Sequence, residues 1–166
     1  MNSQFSGKIW KLPDDVDTDT IIPGRYGVLP TAKDMSVHCL EPLRPELASQ
    51  AKPGDILVAG KNFGCGSSRE QAPACIAALG ITCIIAKSFA RIFFRNAINN
   101  GMFLIETKDL YESVSEGDTV TVVVNKKIIA NGKEFPIQAL PENLLRIIED
   151  GGLVGRYRKL NEAGEK

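Results

Sequence analysis

Two adjacent serines and an arginine, Ser67, Ser68 and Arg69, are the side chains of this sequence best suited to chemistry. They follow a glycine-rich turn that lies between an apolar, strand-like run at 55–59 and a helix-like run at 71–79. Such a turn presents free backbone N–H groups and the positive end of a helix dipole, which bind anions and stabilise developing negative charge. The serines are therefore candidates for acid–base chemistry, and the guanidinium can hold a carboxylate through two parallel hydrogen bonds.

The same turn also has interpretations that involve no catalysis. A P-loop needs a Lys-Ser/Thr pair after its last glycine, whereas Gly66 is followed by two serines and an arginine. The dinucleotide-binding fingerprint needs a glycine where Arg69 stands. A purely structural interpretation stays open, in which the glycines make a tight turn, Ser67 is the N-cap of a helix over 67–79, and Glu70 completes a capping box.

Three motifs spread over most of the chain carry a resemblance to a known family. They are DTDTIIP at 17–23, NFGCGSSRE at 62–70 and KSFARIF at 87–93. In this order they resemble the small subunit of 3-isopropylmalate dehydratase and, more broadly, the swivelling domain of the aconitase superfamily. Gln71 departs from the family pattern, in which histidine is more common, and we expect it to alter only packing or the contacts behind the site.

The resemblance implies a hydro-lyase that removes water from a 2-hydroxy acid and adds it back at the adjacent carbon. It implies a 4Fe-4S cluster held by cysteines of a separate large subunit, no cofactor or metal bound by this chain, and a heterodimer or heterotetramer. Ser68 would be the base, acting as an alkoxide, and Ser67 and Arg69 would bind a substrate carboxylate. Asp19 matches an active-site aspartate that would orient other catalytic groups. A helix N-terminus and the arginine would favour the alkoxide, most of all once the partner excludes water.

In this family the loop after the first motif helps to select the side group of the substrate. Here it contains Arg25, Tyr26, Val28 and Leu29, and we expect these residues to bind substrate. Relatives that act on tricarboxylates tend to carry an arginine after the tyrosine, where this chain has Gly27. Apolar residues suit an alkyl group and would leave an extra carboxylate unpaired. The loop therefore favours 2-isopropylmalate, as in leucine biosynthesis, over homoaconitate, and leaves dimethylmalate and citramalate-type substrates open.

Composition narrows the class of protein and its partners. The 166 residues suffice for a hydrophobic core, and we expect 1–166 to form a single domain. With 20 Lys+Arg and 20 Asp+Glu the net charge is +0, which argues against a nucleic-acid partner because such proteins carry a basic excess. No apolar stretch has membrane-spanning length and the first residues lack the apolar centre of a signal peptide. We therefore expect a cytoplasmic protein with no membrane partner.

The cysteines show no Cys-x-x-Cys spacing, so a metal or iron–sulfur site within this chain is not expected. Cys75 and Cys83 lie in apolar patterns typical of a core. Cys65 lies in the glycine-rich turn, where a nearby helix start lowers a thiol pKa, although a small side chain that fills the turn is the simpler interpretation. His38, the single histidine, lacks clear partners in the local sequence and is interpreted as structural.

Apolar runs alternating with turn residues predict an α/β fold. The expected strands cover 7–12, 55–59, 81–86 and 102–105, and the expected helices cover 67–79 and 89–99. Alternation of this kind is typical of a parallel sheet covered by helices. Lys87, Ser88 and Arg91 fall between a strand end and a helix start, where such sheets place ligand sites. Capping and surface charge explain these three residues equally well.

The pattern changes after residue 118. We expect a strand at 119–124, a hairpin that turns at Asn131-Gly132, and a helix at 141–150 that two glycines end. The charged residues 156–166 are expected to be frayed. This mixed order fits the three-layer β/β/α swivelling domain of the aconitase type.

Two other classes of function remain in view. One is a non-catalytic binding or regulatory module that keeps the fold without its partner, against which the intact Ser68, Arg69 and Asp19 argue. The other is a stand-alone phosphate- or nucleotide-binding domain, against which both failed nucleotide motifs argue.

Overall fold

A curled mixed sheet of seven strands, with helices packed on it, forms the protein. The computed structural model describes residues 4–164, without the side chains of residues 153, 154, 163 and 164. The strands are β1 Gln4–Leu12, β2 Ile56–Ala59, β3 Cys83–Ala86, β4 Phe103–Glu106, β5 Thr119–Val123, β6 Lys127–Ala130 and β7 Lys133–Pro136. The helices are α1 Thr18–Ile21, α2 Ala32–Ser36, α3 Leu47–Gln50, α4 Gln71–Ala78, α5 Arg91–Asn99, α6 Glu142–Glu149 and α7 Leu153–Gly164, with 3-10 turns at Gly24–Tyr26 and Tyr111–Ser113.

One half of the sheet is parallel. Residues 9–12 of β1 pair with β2, which pairs with β3, which pairs with β4. Every residue of β2 and β3 is buried, as in a sheet covered on both faces, and such strands read as continuous apolar runs. This confirms the strands expected near 55–59, 81–86 and 102–105.

The other half of the sheet is antiparallel. Residues 4–8 of β1 pair with β5, and the sheet continues through β6 to β7. β6 and β7 form the expected hairpin, in which Asn131 and Gly132 both have a positive φ, 51° and 76°. Two consecutive left-handed residues make the turn type that matches strand twist, and Asn-Gly is the pair that adopts it most readily.

Strand β1 belongs to both halves, and the sheet curls around it. Gly7 lies at the change of partner, and a Cβ there would sit 2.1 Å from the Gly54 carbonyl oxygen. Glycine therefore permits the close approach of the two backbones. The curl brings Phe5 of β1 edge-on to Phe103 of β4 at 6.0 Å between ring centroids, although two strands separate them in the sheet order. The two sheet halves and the helices make the expected β/β/α arrangement of the aconitase-type α/β fold.

Two helical expectations near the chain ends had different outcomes. Glycines at 151 and 152, with φ of 80° and 115°, end α6 as expected. Of the segment 156–166 that was expected to be frayed, residues 156–164 instead belong to α7, and residues 165 and 166 lie outside the described part of the chain. Arg156 and Lys159 of α7 pair with the Asp150 carboxylate at 3.2 and 2.6 Å. The charges that suggested fraying therefore fasten the helix to the end of α6. Within residues 4–164, no helix is long and apolar enough to cross a membrane.

Candidate active site

Three chain segments continue the parallel sheet beyond the carboxyl ends of β1, β2 and β3. Gly64 donates its N–H to the Val16 carbonyl at 2.7 Å, and Thr18 donates to the Cys65 carbonyl at 2.9 Å. On the other side, the Ala90 N–H donates to the Phe63 carbonyl at 2.9 Å. These bonds bring the three sequence motifs side by side at the edge where parallel α/β sheets place their sites.

The glycine-rich turn can follow this path only because its glycines lack side chains. Gly64 and Gly66 have φ values of 83° and 93°. A Cβ at Gly64 would lie 2.2 Å from the Phe93 ring of α5. The turn therefore lies directly against the start of α5, in a backbone conformation that other residues adopt only with strain.

Helix α4 begins later than the sequence suggested. It starts at Gln71, and Glu70 occupies the N-cap without a side-chain cap bond, so the expected capping box with Ser67 does not form. The reason is competition for the backbone, because the Thr18 hydroxyl donates to the Ser67 carbonyl at 2.9 Å. Ser67 and Ser68 consequently lie in an exposed link before the helix rather than in its first turn.

Ser68 lines three cavities, and Arg69 lines two of them as well. A cavity of about 190 Å³ is lined by Ser67, Ser68 and Arg69 together with the first residues of α5. A second cavity of about 420 Å³ separates Ser68 and Arg69 from the backbone at 22–27. Gln71 also lines this second space, so the position that departs from the family pattern faces the site directly, contrary to our expectation.

Arg69 is held by Asp19. Their Nη2 and Oδ1 atoms are 2.8 Å apart, with 30% and 63% of the side chains exposed. Asp17 caps α1 by accepting from the Thr20 N–H at 2.7 Å, which fixes the turn that carries Asp19. On its other side the guanidinium lies against Gly24, where a Cβ would be 3.0 Å from Nη1. The ion pair thus connects the first two motifs at the cavity edge.

The loop expected to select the substrate is anchored by a histidine. Tyr26 stacks on His38, with ring centroids 3.7 Å apart and an interplanar angle of 4°. Arg25 donates from Nη2 to the Tyr26 hydroxyl at 3.2 Å, and the same nitrogen lies 3.8 Å from Oε2 of Glu41. His38 Nδ1 lies 3.5 Å from Glu41. This role for His38 could not be predicted from the sequence, because Tyr26 lies twelve residues away and Glu41 lies in the following turn.

None of the four loop residues expected to bind substrate lines the two cavities described above. Val28 is 86% exposed and Leu29 packs against the core. Arg25, Tyr26, Val28 and Leu29 do not line the two spaces beside Ser68, which instead meet the backbone of Gly24 and Gly27. Their contact with substrate therefore stays a prediction.

The third motif contributes a mixture of structural and exposed groups. Ser88 accepts from the Asn62 N–H at 2.8 Å, and Lys87 pairs with Glu112, so both side chains are engaged in the scaffold. Arg91, by contrast, is exposed and lines the smaller cavity with Ser67 and Ser68. The motif thus brings one guanidinium to the site and uses its other polar groups to hold the loops.

The thiol of Cys65 is not activated. Burial, and then the carboxylates of Asp17 and Asp15, raise the pKa of Cys65, so the lowered pKa suggested by a nearby helix start is wrong. Cys75 and Cys83 are buried in the core as expected, and all four cysteines are free. In the part of the chain that the structure describes, no group of three Cys, His, Asp or Glu side chains could hold a metal ion. The donor set does not fit an iron–sulfur cluster bound by this chain.

Comparison with known proteins agrees with this geometry. A model of the aconitase C-terminal domain matches residues 38–110. The chain is 65% identical to the 3-isopropylmalate dehydratase small subunit of Lachnospira eligens, over 97% of this chain and 98% of the relative. It is 46% identical to the methanogen homoaconitase small subunit of Methanothermobacter thermautotrophicus, over 99% and 96% of the two chains. The crystal structure of a 3-isopropylmalate dehydratase from Methanocaldococcus jannaschii matches with a TM-score of 0.89 and 38% identity, covering 98% of this chain and 99% of the other.

The fold and the convergence of the three motifs define an aconitase-type swivelling domain, a lyase component of the aconitase superfamily. Within that class, the chain belongs to the family of 3-isopropylmalate dehydratase small subunits.

Proposed function

We propose that this chain is the small subunit of a hydro-lyase that isomerises 2-isopropylmalate to 3-isopropylmalate by dehydration and rehydration. The name and near-full-length identity of the relatives support the reaction. One structural observation carries the assignment of residues: Ser68 lines the cavities next to an arginine that an aspartate holds at 2.8 Å. This arrangement offers a hydroxyl, a carboxylate-binding fork and its orienting partner at one sheet edge.

Ser68 is the proposed base, which as an alkoxide takes the proton from the carbon next to a carboxylate. A serine needs its charged form stabilised for this role. Two helix starts lie near it, because residues 90–93 at the start of α5 line the same cavity and α4 begins three residues after the serine. The positive end of the α5 dipole and the Arg69 guanidinium both favour the alkoxide.

Arg69 and Ser67 are the proposed ligands of a substrate carboxylate. Asp19 forms an ion pair with one end of the guanidinium, Nη2, and leaves the other donors of the fork for the substrate. Since Asp19 is well exposed, the pair contributes orientation rather than much stability. Arg25, Tyr26, Val28 and Leu29 are proposed to meet the alkyl side of the substrate once the large subunit covers the loop.

The partner is a large subunit, and we propose that it carries a 4Fe-4S cluster and pairs with this chain in a heterodimer or heterotetramer. In this family the cluster would supply a Lewis acid that binds the substrate hydroxyl and a carboxylate. This chain would close the site, exclude water and thereby strengthen the electrostatic effects around Ser68. Free thiols and a biosynthetic role suit the cytoplasm, which is the compartment we propose.

The test is turnover of a panel of 2-alkylmalates by the chain mixed anaerobically with its large subunit, with each subunit alone as control. Activity is expected only in the mixture and preferentially on 2-isopropylmalate. Preference for dimethylmalate or a citramalate-type acid would retain the mechanism and correct the substrate. An assembled complex with an intact cluster and no turnover on any acid would support a non-catalytic binding or regulatory module instead.

Homoaconitate is a second candidate substrate, because a homoaconitase small subunit is 46% identical to this chain. The absence of an arginine after Tyr26 argues against it, since Gly27 offers no partner to a third carboxylate. Including homoaconitate in the panel separates the two. A larger kcat/KM for homoaconitate than for 2-isopropylmalate would reverse the preference.

A further inference from the structure

The loop at 24–31 contains a single cation, Arg25, and the fold sets it against a carboxylate. Its Nη2 atom lies 3.8 Å from Oε2 of Glu41, and its guanidinium lies 4.6 Å from the centre of the Tyr26 ring. Neither Arg25 nor Glu41 lines the three cavities that Ser68 lines. The positive charge of the loop is therefore directed at Glu41 and away from those cavities.

Glu41 is held in this place by bonds that do not involve Arg25. The Leu40 N–H donates to the Ile21 carbonyl at 2.8 Å, which ties the residue before Glu41 to the first motif. The Glu41 N–H donates to the His38 carbonyl at 3.1 Å, and His38 Nδ1 lies 3.5 Å from Oε1 of the carboxylate. The carboxylate is thus a fixed group, against which the loop folds.

One oxygen of the Glu41 carboxylate depends on the guanidinium. In the part of the chain that the structure describes, Oε2 is buried and has no hydrogen-bond partner. The Tyr26 hydroxyl and, to a smaller extent, His38 and Arg25 lower the pKa of Glu41, so the group is charged at neutral pH. A buried oxygen that carries charge is stabilised by a nearby cation, and Arg25 is the cation beside it. The two charges therefore compensate each other.

This compensation matters because the loop begins at a cavity beside Ser68. Gly24, the residue before Arg25, lines the cavity of about 420 Å³ with Ser68 and Arg69. Where water is excluded a charge acts beyond contact distance, so an unmatched cation in the loop would attract a third carboxylate. A matched pair suits an uncharged alkyl group. Resting on the proposed function, we propose that Glu41 is a positioning residue that sets substrate specificity, because it neutralises Arg25 and removes an attraction for tricarboxylic acids.

Competition against turnover of 2-isopropylmalate by the assembled two-subunit enzyme tests this role. The probes are homocitrate, whose side group ends in a carboxylate, and 2-isopentylmalate, whose side group has the same shape without the charge. The measured quantity is the inhibition constant of homocitrate divided by that of 2-isopentylmalate. Glu41→Gln should lower this ratio roughly 3- to 10-fold, since the unmatched Arg25 then attracts the extra carboxylate.

Three further variants separate charge from a loss of structure. Arg25→Gln should raise the ratio, because Glu41 then repels the extra carboxylate. The double variant that combines both changes should return the ratio to that of the unmodified enzyme. Glu46→Gln is the matched control, because the Glu46 side chain is as exposed as that of Glu41, 39% against 38%, and pairs with Arg44 without lining the cavities beside Ser68. Its ratio should not change.

Three results would overturn the assignment. The Glu41→Gln enzyme could keep the ratio of the unmodified enzyme. The double variant could keep the lowered ratio, which would mean that the charge of Arg25 is not its source. Weaker binding of the large subunit by Glu41→Gln, with an unchanged ratio at saturating partner, would make Glu41 a subunit contact.

Should Glu41→Gln fail to fold, Arg25→Gln alone decides, because an unchanged ratio in that variant contradicts the compensation. Complete inactivity of the unmodified complex on every acid would instead refute the proposed function, so the two failures are distinguishable.

Discussion

At the scale of single residues, the geometry of the candidate site depends on the two contacts that hold Arg69 in place. Asp19 contacts it from one side, and the absence of a side chain at Gly24 makes room on the other. The guanidinium is only partly buried, and these neighbours limit the directions in which it can point. Substrate orientation is consequently sensitive to changes that hardly affect folding.

Asp19→Asn should lower kcat/KM about tenfold, mostly through KM, because the amide cannot match the charge of Arg69 and the fork loses its fixed direction. The thermal midpoint should stay nearly unchanged, as exposed ion pairs contribute only about 0–1 kcal/mol. Steady-state kinetics of the complex and thermal unfolding of the chain provide the two readouts.

The control for this change is Glu134→Gln, which removes the exposed Lys127–Glu134 pair of the β6–β7 hairpin. It should leave both kcat and KM as they are. Equal kinetics for the two variants would show that the Asp19–Arg69 pair is a surface feature without a part in substrate binding.

Which residues carry the site could largely be predicted from the sequence, whereas their surroundings could not. The three motifs named Ser67, Ser68, Arg69 and Asp19, and the structure brings these residues together. Their surroundings could not be predicted because they depend on hydrogen bonds between residues that are far apart in the sequence. The Thr18 hydroxyl bonds to the Ser67 carbonyl, α4 begins only at Gln71, and the first residues of α5 line the cavity beside Ser68.

At the scale of elements, the stacked pair Tyr26–His38 couples the loop at 24–31, which is expected to select the substrate, to the end of α2. The loop contains only a 3-10 turn with short-range backbone bonds, such as Gly27 to Gly24 at 3.0 Å. A parallel ring contact contributes about 0.5–1.5 kcal/mol beyond area burial. His38 therefore supplies much of what keeps the loop in one conformation.

His38→Ala should loosen the loop, while His38→Phe should retain the stack. We expect faster amide hydrogen exchange at 26–29 and a KM raised up to about tenfold in the alanine variant, with smaller changes in the phenylalanine variant. Exchange measured by mass spectrometry and kinetics on the complex provide the comparison. If both variants behave alike, the ring contact does not hold the loop.

The end of α6 is fastened by charge. Lys159, and then Arg156, lower the pKa of Asp150 by binding its carboxylate. A lowered folded-state pKa means that this contribution to stability is present at neutral pH and is lost as the pH falls through that pKa. The composition predicted that the charged segment of α7 would be frayed. The Asp150 carboxylate, which precedes that segment, instead holds the helix in place.

Asp150→Asn should therefore reproduce at neutral pH what acid does to the unmodified chain. Amide exchange in α7 should accelerate in the variant at pH 7, and the exchange of the unmodified protein, corrected for intrinsic rates, should approach it below about pH 3.9. Turnover of the complex should not change, because α7 does not line the cavities beside Ser68. Identical protection in the two proteins at pH 7 would mean that apolar contacts alone hold the helix.

At the scale of the whole molecule, the fold presents the candidate site residues along one edge of the sheet. A single strand, β1, links the parallel half to the antiparallel half, and the curl around Gly7 stacks the two. The candidate site residues lie at one edge of the parallel half, with Ser67, Ser68 and Arg69 in the link before α4 and Asp19 in α1. The fold class could be inferred from the order of strands and helices, but the close approach of Gly7 to Gly54 could not, because it joins residues that are far apart in the sequence.

This organisation fits a subunit that completes its site on a partner. Val28, Val37 and Ile92 are large apolar side chains that remain exposed, and Ile92 lines the cavity beside Ser68. Exposed apolar groups around polar functional residues are typical of interaction surfaces. The catalytic role assigned to Ser68 therefore has to be measured in the complex.

The most direct test is the turnover of 2-isopropylmalate by the anaerobically assembled complex that contains Ser68→Ala, at saturating large subunit. Loss of a general base is expected to reduce kcat by about 10²- to 10⁴-fold, while the affinity between the subunits stays the same, because one hydroxyl contributes little interface. That result would establish this chain as the source of the base. Near-normal turnover by the Ser68→Ala complex would contradict the account.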